Sequence, residues 1–250
     1  MNIPVLICED SFQFAWAKAL FALRENKWRA WNLVVQISTP ELFDNDINES
    51  LTTFSKSQGL IKPKDVAHTI FPQTFYKTGM ARPVFYKKYM KFFKYSRNRP
   101  HSGWGTYFER MIKYKSPNQK STDQLGSIID NINSWTTNYG ASFVMVIPYP
   151  HSDVNKTMGA PCLNYVTVQV EYADKSCKQK KINLLAVYRN HDFLQRAYGN
   201  YWGLCNLLKY IAFETDSHVG MLTCISSRAD VPKKREELLK IAKSILEVSP

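Results

Sequence analysis

Ala160-Pro161-Cys162-Leu163, then Tyr188-Arg189-Asn190-His191-Asp192, then Asn200, is the stretch that decides how this chain reads. A cysteine just before an apolar strand, an arginine on a later strand and an asparagine at a helix start can share one pocket. Such a pocket would hold a sulfur nucleophile, a cation that depresses its pKa and an amide that reads a ring edge. Each residue also has a plainer reading. Cys162 can be a core thiol, Arg189 with Asp192 a structural ion pair, and Asn200 a helix cap.

Outward from that stretch, hydrophobic spacing predicts an α+β chain with a mixed or antiparallel sheet. Strands are expected over 163–172 and 182–188, joined by a polar, basic hairpin loop at 173–181, with further strands over 31–37, 142–147 and 219–225. Helices are expected from Ser11 to about 25, over 85–95, 123–135 and 200–213, and over 233–246. Residues 107–114 read as a short helix or connector, and 100–105 as a turn. The polar segment 44–65 reads as a long loop. No repeat or linker divides the chain, so residues 1–250 read as one domain.

The chain has 250 residues, of which 44% are hydrophobic and 14% aromatic, enough for a real core and against global disorder. No apolar run reaches the roughly 18–20 residues that span a bilayer. Met1-Asn2-Ile3-Pro4 does not open like a signal peptide. A cytoplasmic protein with no membrane partner is therefore expected. Five cysteines (Cys8, Cys162, Cys177, Cys205 and Cys224) lack paired spacing, which argues against a disulfide framework and against a metal site.

A formal net charge of +12 favours anionic partners such as nucleotides or nucleic acid. From Val66 to Phe108 the chain carries no Asp or Glu. Within 77–99, Lys77, Arg82, Lys87, Lys88, Lys91, Lys94, Arg97 and Arg99 interleave with Phe85, Tyr86, Tyr89, Phe92, Phe93 and Tyr95. Two readings stand. The cations hold phosphates while bases stack on the rings, or a helix buries an aromatic stripe and solvates a basic face.

The second half resembles the thymidylate synthase family, which includes the pyrimidine hydroxymethylases, and is most similar to its archaeal and phage-like branch. Ala160-Pro161-Cys162-Leu163 resembles the segment holding the nucleophile, and Tyr188-Arg189-Asn190-His191-Asp192 resembles the strand end Arg-Ser-x-Asp. Asn200 follows the arginine by the family's eleven residues. Trp104-Gly105-Thr106-Tyr107-Phe108-Glu109-Arg110 resembles its Tyr-Gly-x-Arg segment, and Asp123-Gln124-Leu125 its Asp-Gln-Ile helix start. Val219-Gly220 and Ile225-Ser226-Ser227 resemble the strand that follows.

The resemblance implies a C5 methyl- or hydroxymethyltransferase acting on a pyrimidine nucleotide. It also implies 5,10-methylenetetrahydrofolate as carbon donor and a homodimer. Cys162 would add as thiolate to C6 of the ring, and Arg189 would lower its pKa and bind phosphate. Asn200 would bond O4 and N3, Asp192 would position folate and waters, and Tyr107 would line the pocket. Asn190 stands where the family has a phosphate-binding serine, and Gln124 falls in the substrate-binding set. The family's sugar-holding histidine and tyrosine fall at Asp230 and Pro232, and its phosphate arginines from the partner subunit fall near Gly140-Ala141-Ser142. These departures point to an altered substrate. The alternative is a catalytically altered module of the same fold that binds a nucleotide or nucleic acid.

Overall fold

The structure is a computed structural model that describes residues 4–96, 104–115, 120–135, 142–172 and 179–247. Cys177, Arg97, Arg99, Gly140-Ala141, the side chains of Lys94 and Tyr95, and most of the turn at 100–105 and the hairpin loop at 173–181 lie outside the described residues. Among the described residues, seven strands form one sheet: β1 (Leu6–Glu9), β2 (Arg29–Ile37), β3 (Phe143–Val146), β4 (Leu163–Tyr172), β5 (Lys180–Tyr188), β6 (His191–Asp192) and β7 (His218–Asp230). Their order is β1-β2-β7-β5-β4-β3, with β6 beside the end of β7. β1 and β2 run parallel, as do β5 and β7, and the β2–β7, β4–β5 and β3–β4 pairs are antiparallel. The sheet is therefore mixed.

Helices α1 (Phe12–Glu25), α8 (Ala197–Glu214) and α9 (Arg235–Glu247) pack together, with α1 and α8 also against the sheet. Ser11 starts α1 by accepting a hydrogen bond from the Phe14 amide at 3.2 Å. Ala15, Trp16, Ala19, Leu20 and Leu23 then recur at helical spacing and are buried. The remaining helices are α2 (Asn45–Ser57), α3 (Pro63–Ile70), α4 (Arg82–Ser96), α5 (Tyr107–Ile112), α6 (Gln124–Ser134) and the single turn α7 (Pro150–Asp153). A 3-10 turn covers Gln73–Phe75. None of the helices is long and apolar enough to cross a membrane, among the described residues.

Residues 44–65 correct the sequence reading, because they hold α2 and the start of α3 rather than a loop. Asp44 caps α2 by accepting from the amides of Asp46 and Ile47. Only Ile47, Leu51 and Ser55 are buried, so a narrow stripe on an otherwise polar helix does the anchoring. In α4, Phe85, Tyr89 and Phe93 are buried while Lys87, Lys88 and Lys91 face outward. Those three rings belong to the core and are closed to stacking by bases. Phe92 is half-exposed and rests on Phe75, ring centroids 4.8 Å apart.

Among the described residues, one sheet face lacks a helical cover. Leu6, Trp31, Tyr165, Val144 and Val146 lie exposed on it. In β2 the alternation resets at Asn32, whose φ of 56° is left-handed, so Ala30 and Leu33 both point inward. β7 resets opposite it, which puts Ser226 and Ala229 inward together.

α8 sits very close to α3. A Cβ built at Gly199 would come within 2.6 Å of the Pro63 carbonyl oxygen, and one at Gly203 within 2.7 Å of the Ala67 carbonyl oxygen. Bare glycine backbone at both positions lets α3 clamp the first half of α8. Gly203→Val is expected to destabilise the fold by about 2 kcal/mol or more, because the obstructing atoms are backbone and cannot rotate away. Chemical denaturation checks this, and an unchanged midpoint would show that α3 lifts off α8 at little cost.

Candidate active site

The three parts of the opening motif meet at one end of the sheet. Cys162 immediately precedes β4 and Arg189 immediately follows β5. The Arg189 amide donates to the Cys162 carbonyl at 2.9 Å, so the β4–β5 ladder itself fixes the two residues side by side. β6 carries His191 and Asp192 back along the end of β7. The chain then enters α8, with Asn200 in its first turn.

Cys162 is a half-buried free thiol. Burial pushes its pKa up, and the charge and hydrogen bond of Arg189, with the charge of Arg196, pull it down without prevailing. Arg189 thus acts on the thiol in the expected direction, but burial is the larger effect and the net shift is upward. Arg189 also donates to the Lys156 carbonyl at 3.1 Å, while its Nε is buried with no partner. Tyr107 is buried beside the thiol. Burial pushes its hydroxyl up to about 12, and contacts with the backbone of Leu163 and Cys162 oppose that rise.

Asn200 is not a helix cap. It is buried inside α8, and its Nδ2 lies 3.0 Å from Nε2 of His191. His191 Nδ1 in turn lies 2.8 Å from Ser226 Oγ. An amide nitrogen can only donate, so His191 accepts at Nε2 and carries its proton on Nδ1, which donates to Ser226. The His191 ring stacks on Tyr188, centroids 4.2 Å apart and planes 5° apart. Asn200 thereby commits one N–H to the protein and is left with a buried Oδ1 that has no donor.

The other candidates fall in two groups. Asp192 stays near the thiol, and its Oδ1 accepts from the amides of Leu194 and Gln195, holding the turn into α8. Burial raises its pKa, those two amides lower it, and the charge of Asp230 raises it again. Asn190 is exposed. Gln124 is used up structurally: Nε2 donates to the carbonyls of Arg110 and Val146, and Oε1 accepts from the Val146 amide. It pins α6 to the β3 edge and offers nothing to a substrate. Of the sugar-facing positions, Asp230 pairs with Arg228 at 2.7 Å.

Three residues of this cluster were given no role by the motifs: His191, Ser226 and Arg196. Arg196 is an exposed second cation at the entry to α8, between Asp192 and Asn200. Its place between two motif residues was the available signal. His191 and Ser226 are 35 residues apart, and only β6 lying beside β7 brings them together.

Behind the site, Arg110 is 2% exposed and tied to three segments of the chain. Nε and Nη2 donate to the Trp104 carbonyl and Nη1 to the Ile147 carbonyl, with Asp153 as ion-pair partner. The guanidinium lies 4.0 Å from the Tyr149 ring centroid. Burial alone would raise the Asp153 carboxyl, yet the Arg110 bond and the Tyr149 amide hold it below the usual range.

His191 gives a pH dependence with a definite sign. Burial lowers its pKa from 6.5 to about 3, so the folded state refuses a proton that the unfolded chain accepts. Its contribution is complete above pH 6.5 and is lost as pH falls toward 3, at a slope of at most about 1.4 kcal/mol per pH unit. The expected outcome is that wild type loses more stability than His191→Gln between pH 7 and pH 4 in urea titrations. Parallel losses would show that His191 titrates normally in the fold.

No family model matches the chain. It is similar to proteins named "Putative thymidylate synthase" from three Methanosarcina species. Identity is 28% to that of Methanosarcina acetivorans, 27% to that of Methanosarcina mazei and 28% to that of Methanosarcina barkeri. Each match covers 126 residues, 50% of this chain and 52% of the relative, so the chain spans about half the length of the curated relatives it matches. The resemblance to the thymidylate synthase family thus rests on whole-segment similarity as well as on single motifs, and the chain is a divergent relative.

Proposed function

We propose that this protein is a thymidylate-synthase-like enzyme that transfers a one-carbon unit to C5 of a pyrimidine nucleotide, with Cys162 as nucleophile. The observation that carries the reading is the backbone bond that locks Cys162 beside Arg189, with Tyr107 and Asp192 around the sulfur. Cys162 would add to C6, placing the electron pair at C5 and O4 of the ring, and C5 would attack the one-carbon unit. The raised thiol pKa fits a nucleophile that ionises only once the nucleotide has entered. Arg189 would then supply the countercharge to the sulfur. Asn200 offers an acceptor, Oδ1, to the ring N3–H, which favours a uracil-type edge over cytosine, whose N3 carries no hydrogen.

A reduced folate would supply the carbon when bound. Asp192 fits that role, because its Oδ1 is spent on its own turn and Oδ2 remains to accept from pterin N–H groups. The exposed Asn190 and the Arg228-paired Asp230 would not provide the usual phosphate and sugar contacts, so the nucleotide differs from dUMP in what it presents there.

The test is mass spectrometry after incubation with methylenetetrahydrofolate and a panel of 5-fluoropyrimidine nucleotides. A covalent adduct on the Cys162 peptide is expected, absent in Cys162→Ser and reduced in Arg189→Gln. If no uridine or cytidine nucleotide gives an adduct while one still raises thermal stability, the chain binds the nucleotide without the chemistry.

We further infer a homodimer through the open sheet face. Trp31, Tyr165, Val144 and Val146 expose apolar surface there, on a face that a second copy would cover. Sedimentation should show a dimer for wild type and a monomer for a Trp31→Glu/Val144→Glu chain. A monomeric wild type would refute the assignment.

A further inference from the structure

A second cavity lies away from the thiol, on the outward side of α8. It has a volume of about 610 Å³ and is bounded by α8, the turn after β2 and the 3-10 turn at Gln73–Phe75. Asn200 and Trp202 are two residues apart on the helix, so they point to nearly opposite sides of it. The cavity and the Cys162 site therefore share the helix without sharing residues.

Trp202, Asn206 and Lys209 recur along one face of α8 at i, i+4 and i+7. Phe43 lies against Trp202 with ring centroids 5.1 Å apart, giving a broad aromatic wall. Asn206 is 6% exposed, its amide makes no hydrogen bond among the described residues, and its polar atoms are not sealed in, so the amide opens to the cavity. Glu41, Gln73 and Lys209 line the same space, and their side chains likewise have no hydrogen-bond or ion-pair partner among the described residues. An amide that meets only water in a cavity can exchange it for the matching groups of a ligand.

We propose that this cavity binds a purine nucleoside monophosphate, with adenine as the base. The aromatic wall takes the two-ring base by stacking. The Asn206 and Gln73 amides each offer a donor and an acceptor, the pairing that the N6 and N7 edge of adenine answers. Lys209 lies about 10 Å along the helix from Trp202, the span of base, sugar and phosphate, and takes the phosphate as a point charge. Glu41 accepts from the ribose hydroxyls. Because α8 also holds Asn200, the nucleotide would stiffen the helix on which the other site depends. The proposal rests on the cavity alone and stands whether or not Cys162 reacts.

Isothermal titration of the full chain with 5′-AMP, GMP and adenosine tests it. Saturable AMP binding with a dissociation constant below about 1 mM is expected. GMP should bind more weakly than AMP. Lys209→Gln should weaken AMP about tenfold and leave adenosine unchanged, Asn206→Leu should weaken both, and Cys162→Ser should change neither. Lys209 is on the surface, so its variant remains informative if Asn206→Leu misfolds. Absence of saturable AMP binding, equal weakening of AMP and adenosine by Lys209→Gln, or an AMP affinity that follows Cys162→Ser instead would overturn the proposal.

Discussion

The buried guanidinium of Arg110 is the constraint on which the candidate site depends. It gathers the Trp104 carbonyl at the start of α5, the Ile147 carbonyl after β3, and the Asp153 carboxylate in α7. A paired charge in the interior is weak evidence of net stability, since desolvation offsets much of the attraction. Its value is in geometry: removing either partner would strand a buried charge, which costs about 3–5 kcal/mol, so the three segments cannot separate. α5 is thereby held where Tyr107 reaches the backbone of Cys162 and Leu163. The segment leading from α7 to the cysteine is anchored at the same point.

The remaining site geometry comes from the sheet end and from α8. Backbone pairing of β4 with β5 sets sulfur against guanidinium, which needs no side-chain preference. β6 beside β7 assembles His191 and Ser226, and the glycines of α8 let α3 press that helix into place. Polar groups there are incompletely satisfied: Arg189 Nε, Asn200 Oδ1 and the Tyr188 hydroxyl are buried without partners. Such unmet atoms are uncommon in folded interiors and concentrate where function imposes a cost.

Legibility in the sequence followed the width of the apolar signal. α1, α6, α9 and the strands β4 and β5 were readable because their buried positions repeat with the period of the element. α2 was not, because its anchor is two aliphatic residues and a serine among Asn, Glu, Thr and Lys, and composition there argues for a loop. In α4 the sequence left open whether the aromatic residues faced bases or the core. The i, i+4, i+8 spacing of Phe85, Tyr89 and Phe93 contained the answer, but only packing against Phe71 and Phe108 expressed it. Gln124 sat in a recognisable motif and still took a structural role, since its amide matches the free backbone groups of Val146.

The sequence by itself determined the local chemistry: a cysteine before a strand, an arginine after another, an asparagine on a helix, and the periodicities that make those elements. Tertiary structure alone decided the state of each group. Burial, which depends on the whole fold, outweighs the arginines and sets the net direction of the Cys162 thiol's shift upward. Contact between β6 and β7 fixes the His191 proton on Nδ1, and that proton in turn leaves Asn200 presenting an acceptor. Residue type sets what a side chain can donate or accept; desolvation and long-range pairing set which of those options is exercised.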